Sequence, residues 1–190
     1  MSGEVTTWLA RMREGDGDAL DRLVALLYDE LRTVARRLMR GERRGRTLAT
    51  TALVHETYLR LLDARRLSPD DRGQFLAAAA VTMRRILVDR ARRRLAAKRG
   101  AGTEQVEVDA LAEAIAAPFD DAELVALDDA LERLGESSPR ARQVVELRFF
   151  TGLTLEETAQ ALDLSKRTVQ RDWLTARAWL RATLAPPPPA

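Results

Sequence analysis

The chain has 190 residues, 32% of them charged and 5% aromatic, with one histidine, no cysteine and a formal net charge of +2. The missing cysteines exclude disulfides and thiolate metal sites, and a single histidine makes a metal cluster or a Ser-His-Asp triad a poor reading. With no apolar run of membrane-crossing length and no basic-then-apolar signal segment, the expectation is a cytoplasmic, soluble protein of one ordinary domain or two small ones.

Leu, Ala and Arg dominate at helical spacing with few β-branched clusters, which predicts an all-α fold. A first amphipathic helix runs from Val5 to Arg13 and stops at Gly15. A longer one carries Leu20, Leu23, Val24, Leu27, Leu31, Val34 and Leu38 on one stripe, and a basic loop 41–46 follows. The segment Thr51 to Leu62 puts Val54, Tyr58 and Leu61 on one side. After a polar loop, 65–73, that holds Pro69, a long helix from about Gln74 turns Phe75, Ala79, Met83 and Ile86 inward.

That helix ends in a run of cations, Arg84, Arg85, Arg90, Arg92, Arg93, Arg94, Lys98 and Arg99, against a lone Asp89. Such density attracts polyanions, although a solvated basic face is the competing account. Residues 100–120 turn small and acidic, which marks a linker between a helical unit at 1–99 and a second at 121–184. In the second unit Leu124, Leu127, Leu131 and Leu134 share a helix, a break at 135–139 offers Ser137 or Ser138 as a cap, and a helix runs through Val144, Val145 and Phe149. The tail 185–190 is proline-rich and does not continue a helix.

Between Thr154 and Leu180 the pattern is that of a helix-turn-helix. Thr154 and Glu157 form a capping box, Ala159 is small where two helices must approach, and Ser165 caps the next helix after a short turn. In that second helix Val169, Trp173, Ala176 and Leu180 share a buried face, which leaves Arg167, Arg171, Leu174 and Arg181 outward.

Taken in order, LVHETYLRLLD, MRRILVDRARRR, the acidic linker and the helix-turn-helix resemble a bacterial sigma factor of the sigma-70 family, extracytoplasmic-function (ECF) group, from about Leu20 to Leu180. The resemblance implies a specificity subunit that binds core RNA polymerase through its clamp helices and flap, carries it to promoter DNA, and is not itself an enzyme. No cofactor or metal is implied. The docking helix of the family matches Val54, His55, Glu56, Tyr58, Leu59 and Arg60. The loop 65–73 and the start of the following helix match the part that captures a flipped base of the minus-ten element, and Arg84, Arg85, Arg92 and Arg93 suit tracking of the displaced strand. Minus-thirty-five contacts fall on Lys166, Arg167, Thr168, Gln170, Arg171, Leu174 and Thr175, with arginine suited to guanine edges. Asp172 departs from the basic residue often found there, and either bridges to a neighbouring arginine or alters which bases are tolerated.

Docking helices of this family usually begin with carboxylates, whereas Thr50, Thr51 and Ala52 stand here ahead of Glu56. Phosphorylation of Thr51, or of Thr50 as second choice, by a Ser/Thr kinase would restore negative charge, as a branch of the family resembling this chain is thought to do; plain helix capping by threonine is the alternative. The other functional class that the sequence allows is a dimeric helix-turn-helix regulator that binds duplex operator DNA and never contacts polymerase.

Overall fold

A computed structural model describes residues 2–39, 46–63, 69–99 and 121–185. The predicted linker at 100–120, the tail from 186, the loop at 41–45 and residues 64–68 lie outside the described residues. Among the described residues every regular element is helical and there is no strand.

Helix α1, Ser2–Arg13, ends ahead of Gly15, whose φ of 88° only glycine adopts without strain. The single long stripe that the spacing predicts is in fact two helices, α2 (Ala19–Leu26) and α3 (Tyr28–Leu38), with a corner at Leu27. Backbone bonds run through the corner, Leu27 N–H to the Leu23 carbonyl and Leu31 N–H to that of Leu27, both at 2.9 Å. Apolar periodicity therefore continues without a gap while the axis bends. The bend lets α2 lie on α1 and sends α3 between α4 (Arg46–Asp63) and α5 (Arg72–Arg99), with Leu23, Leu27, Leu31 and Val34 all buried.

Helix α5 is the axis of the molecule. It packs against α1, α3 and α4, and also against α6 (Asp121–Ser137), the π-helical turn Glu146–Thr151 and α8 (Leu155–Ala161). Phe75, Ala79, Met83 and Ile86 are fully enclosed as the spacing predicts, but so are Leu76, Ala80, Leu87, Val88 and Ala91. An apolar surface that wide belongs to a helix covered on more than one side. One core accordingly runs from Leu31, Leu53 and Phe75 through Met83 to Leu124, Leu131, Val145 and Phe150.

In the second half α6 reaches Ser137 and α7 (Pro139–Val145) starts on Pro139, where the missing N–H costs nothing. The π-helical turn then shifts the register. Phe150 is buried, whereas Phe149, four residues after the buried Val145, is 51% exposed, because each π turn carries more residues than an α turn. Gly152, at φ 77°, closes this turn in the left-handed conformation. The short α8 and the long α9 (Lys166–Leu184) complete the chain, with Val144, Ala159 and Val169 in a small core of their own.

Phe75 is 0% exposed in the core to which both halves contribute. Phe75→Ala is expected to cost about 3–5 kcal/mol, read as a lower urea midpoint by circular dichroism.

Candidate nucleic-acid interface

The turn between α8 and α9 is closed by its own side chains. Thr154 Oγ accepts from the Glu157 N–H at 3.2 Å, and the Glu157 carboxylate accepts from the Thr154 N–H at 2.8 Å, which holds Glu157 below the usual carboxylate range. Asp163 takes a positive φ of 50° in the turn, and Ser165 Oγ then accepts from the Thr168 N–H at 3.1 Å. Buried Val169 and Ala176 seat α9, while the half-buried Trp173 carries the Arg148 guanidinium 5.0 Å from its ring. The residues left outside are those expected there: Lys166, Arg167, Gln170, Arg171, Leu174 and Thr175 are exposed and Thr168 is half-buried. Arg167, Thr168, Gln170, Arg171 and Leu174 line one shallow depression. Lys166 reaches Glu156 at 2.7 Å, an exposed pair that salt screens easily.

Asp172 is not on the reading face. It is buried and accepts from Arg140 Nε at 2.5 Å and Nη2 at 3.3 Å, with Arg171 Nε at 3.5 Å. The Arg140 hydrogen bonds keep its carboxyl below the usual range. Of the two roles open to it from sequence, the geometry is that of a bridge, and the partner, at the start of α7, was not visible from helix spacing.

The arginines of α5 divide. Arg85 and Arg93 are exposed, and Arg93 Nε donates to the Asp89 carbonyl of its own helix, 3.2 Å away. Arg92 is exposed but ion-paired to Asp129 at 2.9 Å and Asp128 at 3.6 Å. Arg84 does not face solvent: at 1% exposure it lies 3.1 Å from Asp128, 3.5 Å from Glu146 and 5.3 Å from the Phe150 ring. Burial pushes its pKa below the ordinary arginine value, and Glu146 and Asp128 oppose that shift. The reading of Arg84 as a surface cation is thus corrected in this conformation. A sequence signal existed, since Ala80, Leu87 and Ala91 share its helix face at spacings of four, three and four.

On α4, His55 and Leu59 are exposed, Glu56, Tyr58 and Arg60 half-buried, and Val54 buried. Tyr58 Oη donates to Asp21 at 2.7 Å, Glu56 pairs with Arg90 and with Arg60 at 3.5 Å, and Arg60 reaches Asp89 at 3.1 Å. Thr51, Val54, His55 and Tyr58 line a groove with Asp21, Val24, Ala25 and Tyr28, none of which the sequence marked as a docking residue. The helix begins at Arg46, so neither Thr50 nor Thr51 is its N-cap, which removes the capping alternative and takes Thr51 past the first turn, where the helix dipole acts most. Thr51 is exposed, whereas Thr50 is 1% exposed and its hydroxyl is out of a kinase's reach here. Among the described residues no three His, Cys, Asp or Glu gather to hold a metal, and no helix is long and apolar enough to cross a membrane.

A capped helix pair with a basic outer face, set on a helical body with an arginine-rich central helix, defines a DNA-reading protein of the all-α class. The model of the ECF sigma factor family matches residues 2–185, and the chain belongs to that family. Its role is that of an RNA polymerase sigma factor, which binds core polymerase and promoter DNA and directs promoter-specific transcription. No curated protein and no solved structure matches the chain.

Because Thr154 satisfies an orphan donor at the start of α8, Thr154→Ala is expected to lower stability by about 1 kcal/mol. Thermal unfolding against a Thr154→Ser control, which keeps the acceptor, checks it.

Proposed function

We propose that this sigma factor reads the minus-thirty-five element with α9 and handles the minus-ten region with α5. Arg167 and Arg171 take guanine edges, Gln170 and Leu174 contact adjacent bases, and Lys166, Thr168 and Thr175 hold the backbone. Asp172 stays out of the readout. Arg85, Arg92 and Arg93 track the displaced strand, which supplies the cationic path an unpaired backbone needs. The α4 surface around His55, Leu59 and Arg60 docks on the polymerase clamp, the second half engages the flap, and the chain catalyses nothing on its own.

One observation supports this reading above the others: Arg167, Gln170, Arg171 and Leu174 share a single exposed face of a helix whose start is capped by Ser165 and whose back is fixed by Val169 and Ala176. Run-off transcription with core polymerase tests it. Arg171→Ala is expected to cost about 1–3 kcal/mol of promoter discrimination, roughly 5- to 150-fold in start-site preference. Unchanged preference in both Arg167→Ala and Arg171→Ala would overturn the assignment.

We further propose that Thr51 is a phosphorylation site that strengthens polymerase docking. It is exposed in the α4 groove, and no carboxylate stands between Thr50 and His55. A phosphate adds about −1.5 to −2 charges at neutral pH, enough to change how this groove meets a basic surface. In a pull-down with core polymerase, Thr51→Glu is expected to bind without kinase and Thr51→Ala to bind weakly with or without it. Equal binding by the two variants contradicts the switch.

A further inference from the structure

We infer that Arg140, at the start of α7, is a positioning residue for promoter readout, a role that rests on the reading of Arg171 as a base-contacting residue. By occupying the Asp172 carboxylate, Arg140 keeps the Arg171 fork free for a guanine.

Asp172 is 8% exposed, on the flank of α9 between the buried Val169 and Ala176 and the side that carries Thr168 and Thr175. A carboxylate in that place needs a cation, because burial strips water from its charge. Among the described residues two arginines meet it, and they do so unequally. Arg140 donates from Nε at 2.5 Å to one carboxylate oxygen and from Nη2 at 3.3 Å to the other, the paired geometry that suits a planar fork. Arg171 approaches with Nε, 3.5 Å from the oxygen that takes the longer Arg140 bond. That contact lies at the limit of a hydrogen bond, and the Arg171 side chain is 68% exposed.

Two uses compete for Arg171. Guanine is read through two parallel N–H groups of one guanidinium aimed outward into the groove. A carboxylate that captures an arginine takes two such groups as well. Adjacent residues do not face each other on a helix, so the Arg171 stem has to curl along α9 to reach Asp172. A fully captured Arg171 is therefore turned away from the bases. Arg140 decides between the two, because it comes from the helix packed against α9 and satisfies the Asp172 charge without drawing on the outward face. Without Arg140, a desolvated carboxylate is left with Arg171 as its cation.

Run-off transcription with core polymerase, on one promoter and on versions of it with each minus-thirty-five base pair substituted in turn, tests this. Arg171→Ala marks the base pair that Arg171 reads. Arg140→Met is expected to lose discrimination at that same base pair by about fivefold or more, to leave the other positions unchanged, and to add nothing in an Arg171→Ala background. Arg140→Met with Asp172→Asn is expected to regain the preference, because no charge is left to draw Arg171 aside. A pair that merely braced the two helices would not be rescued by the loss of its second half. Val169 and Ala176 still seat α9 in each variant, and circular dichroism checks that each one folds. Four results would each overturn the inference: an unfolded Arg140→Met chain, discrimination in that variant within about twofold of the unsubstituted chain, an equal loss at every base pair, or no recovery in the double variant. A flat profile in Arg171→Ala would instead sink the base-reading assignment itself.

Discussion

A guanidinium cannot be enclosed in an apolar core without anions beside it, and Arg84 is enclosed. That requirement ties Asp128 of α6 and Glu146 of the π-helical turn to the middle of α5 and so decides how the second half of the chain sits on the first. The apolar residues of the same core, Met83, Leu87, Leu124, Leu131 and Phe150 among them, supply area without choosing a register. The ion pairs choose it.

The same central helix explains why the two ends of the molecule differ in character. The helix-turn-helix carries its own small core at Val144, Ala159 and Val169 and its own caps at Thr154 and Ser165, so its reading face does not depend on the ion pairs that join the halves. The cationic face of α5 has no such independence, because Arg84, Arg92 and Arg94 are held by the other half. The outer face of α9 is set locally, whereas the arginines of α5 are shared between the two halves.

Much of this was legible in the sequence where one residue type in one place allows a single use. The capping box, the Ser165 cap, the burial of Val169 and Ala176 on α9 and the inward stripe of α5 all follow from spacing alone, because local hydrogen bonds and helical periodicity decide them, while Trp173 and Leu180 of the same row are half-buried. Four features did not follow, each for a physical reason. The corner at Leu27 preserves the apolar period on both sides, so the stripe reads as straight. The π-helical turn moves Phe149 out and Phe150 in, since its residue count per turn differs from the one assumed. Arg84 belongs to a run of cations by sequence but to an apolar face by helix geometry, and the partners that make its burial tolerable lie 44 and 62 residues away, Asp128 and Glu146. The link between Asp172 and Arg140 is hidden in the same way, since side chains that meet across elements leave no periodic trace.

The central claim is that Arg84, enclosed with Asp128 and Glu146, holds the second half of the chain on the first. Urea unfolding of Arg84→Met, which keeps the bulk but leaves two buried carboxylates unpaired, measures it. The account predicts a loss of about 3–5 kcal/mol, whereas Arg85→Met, at an exposed position of the same helix, changes stability little. An unchanged urea midpoint in Arg84→Met would contradict it.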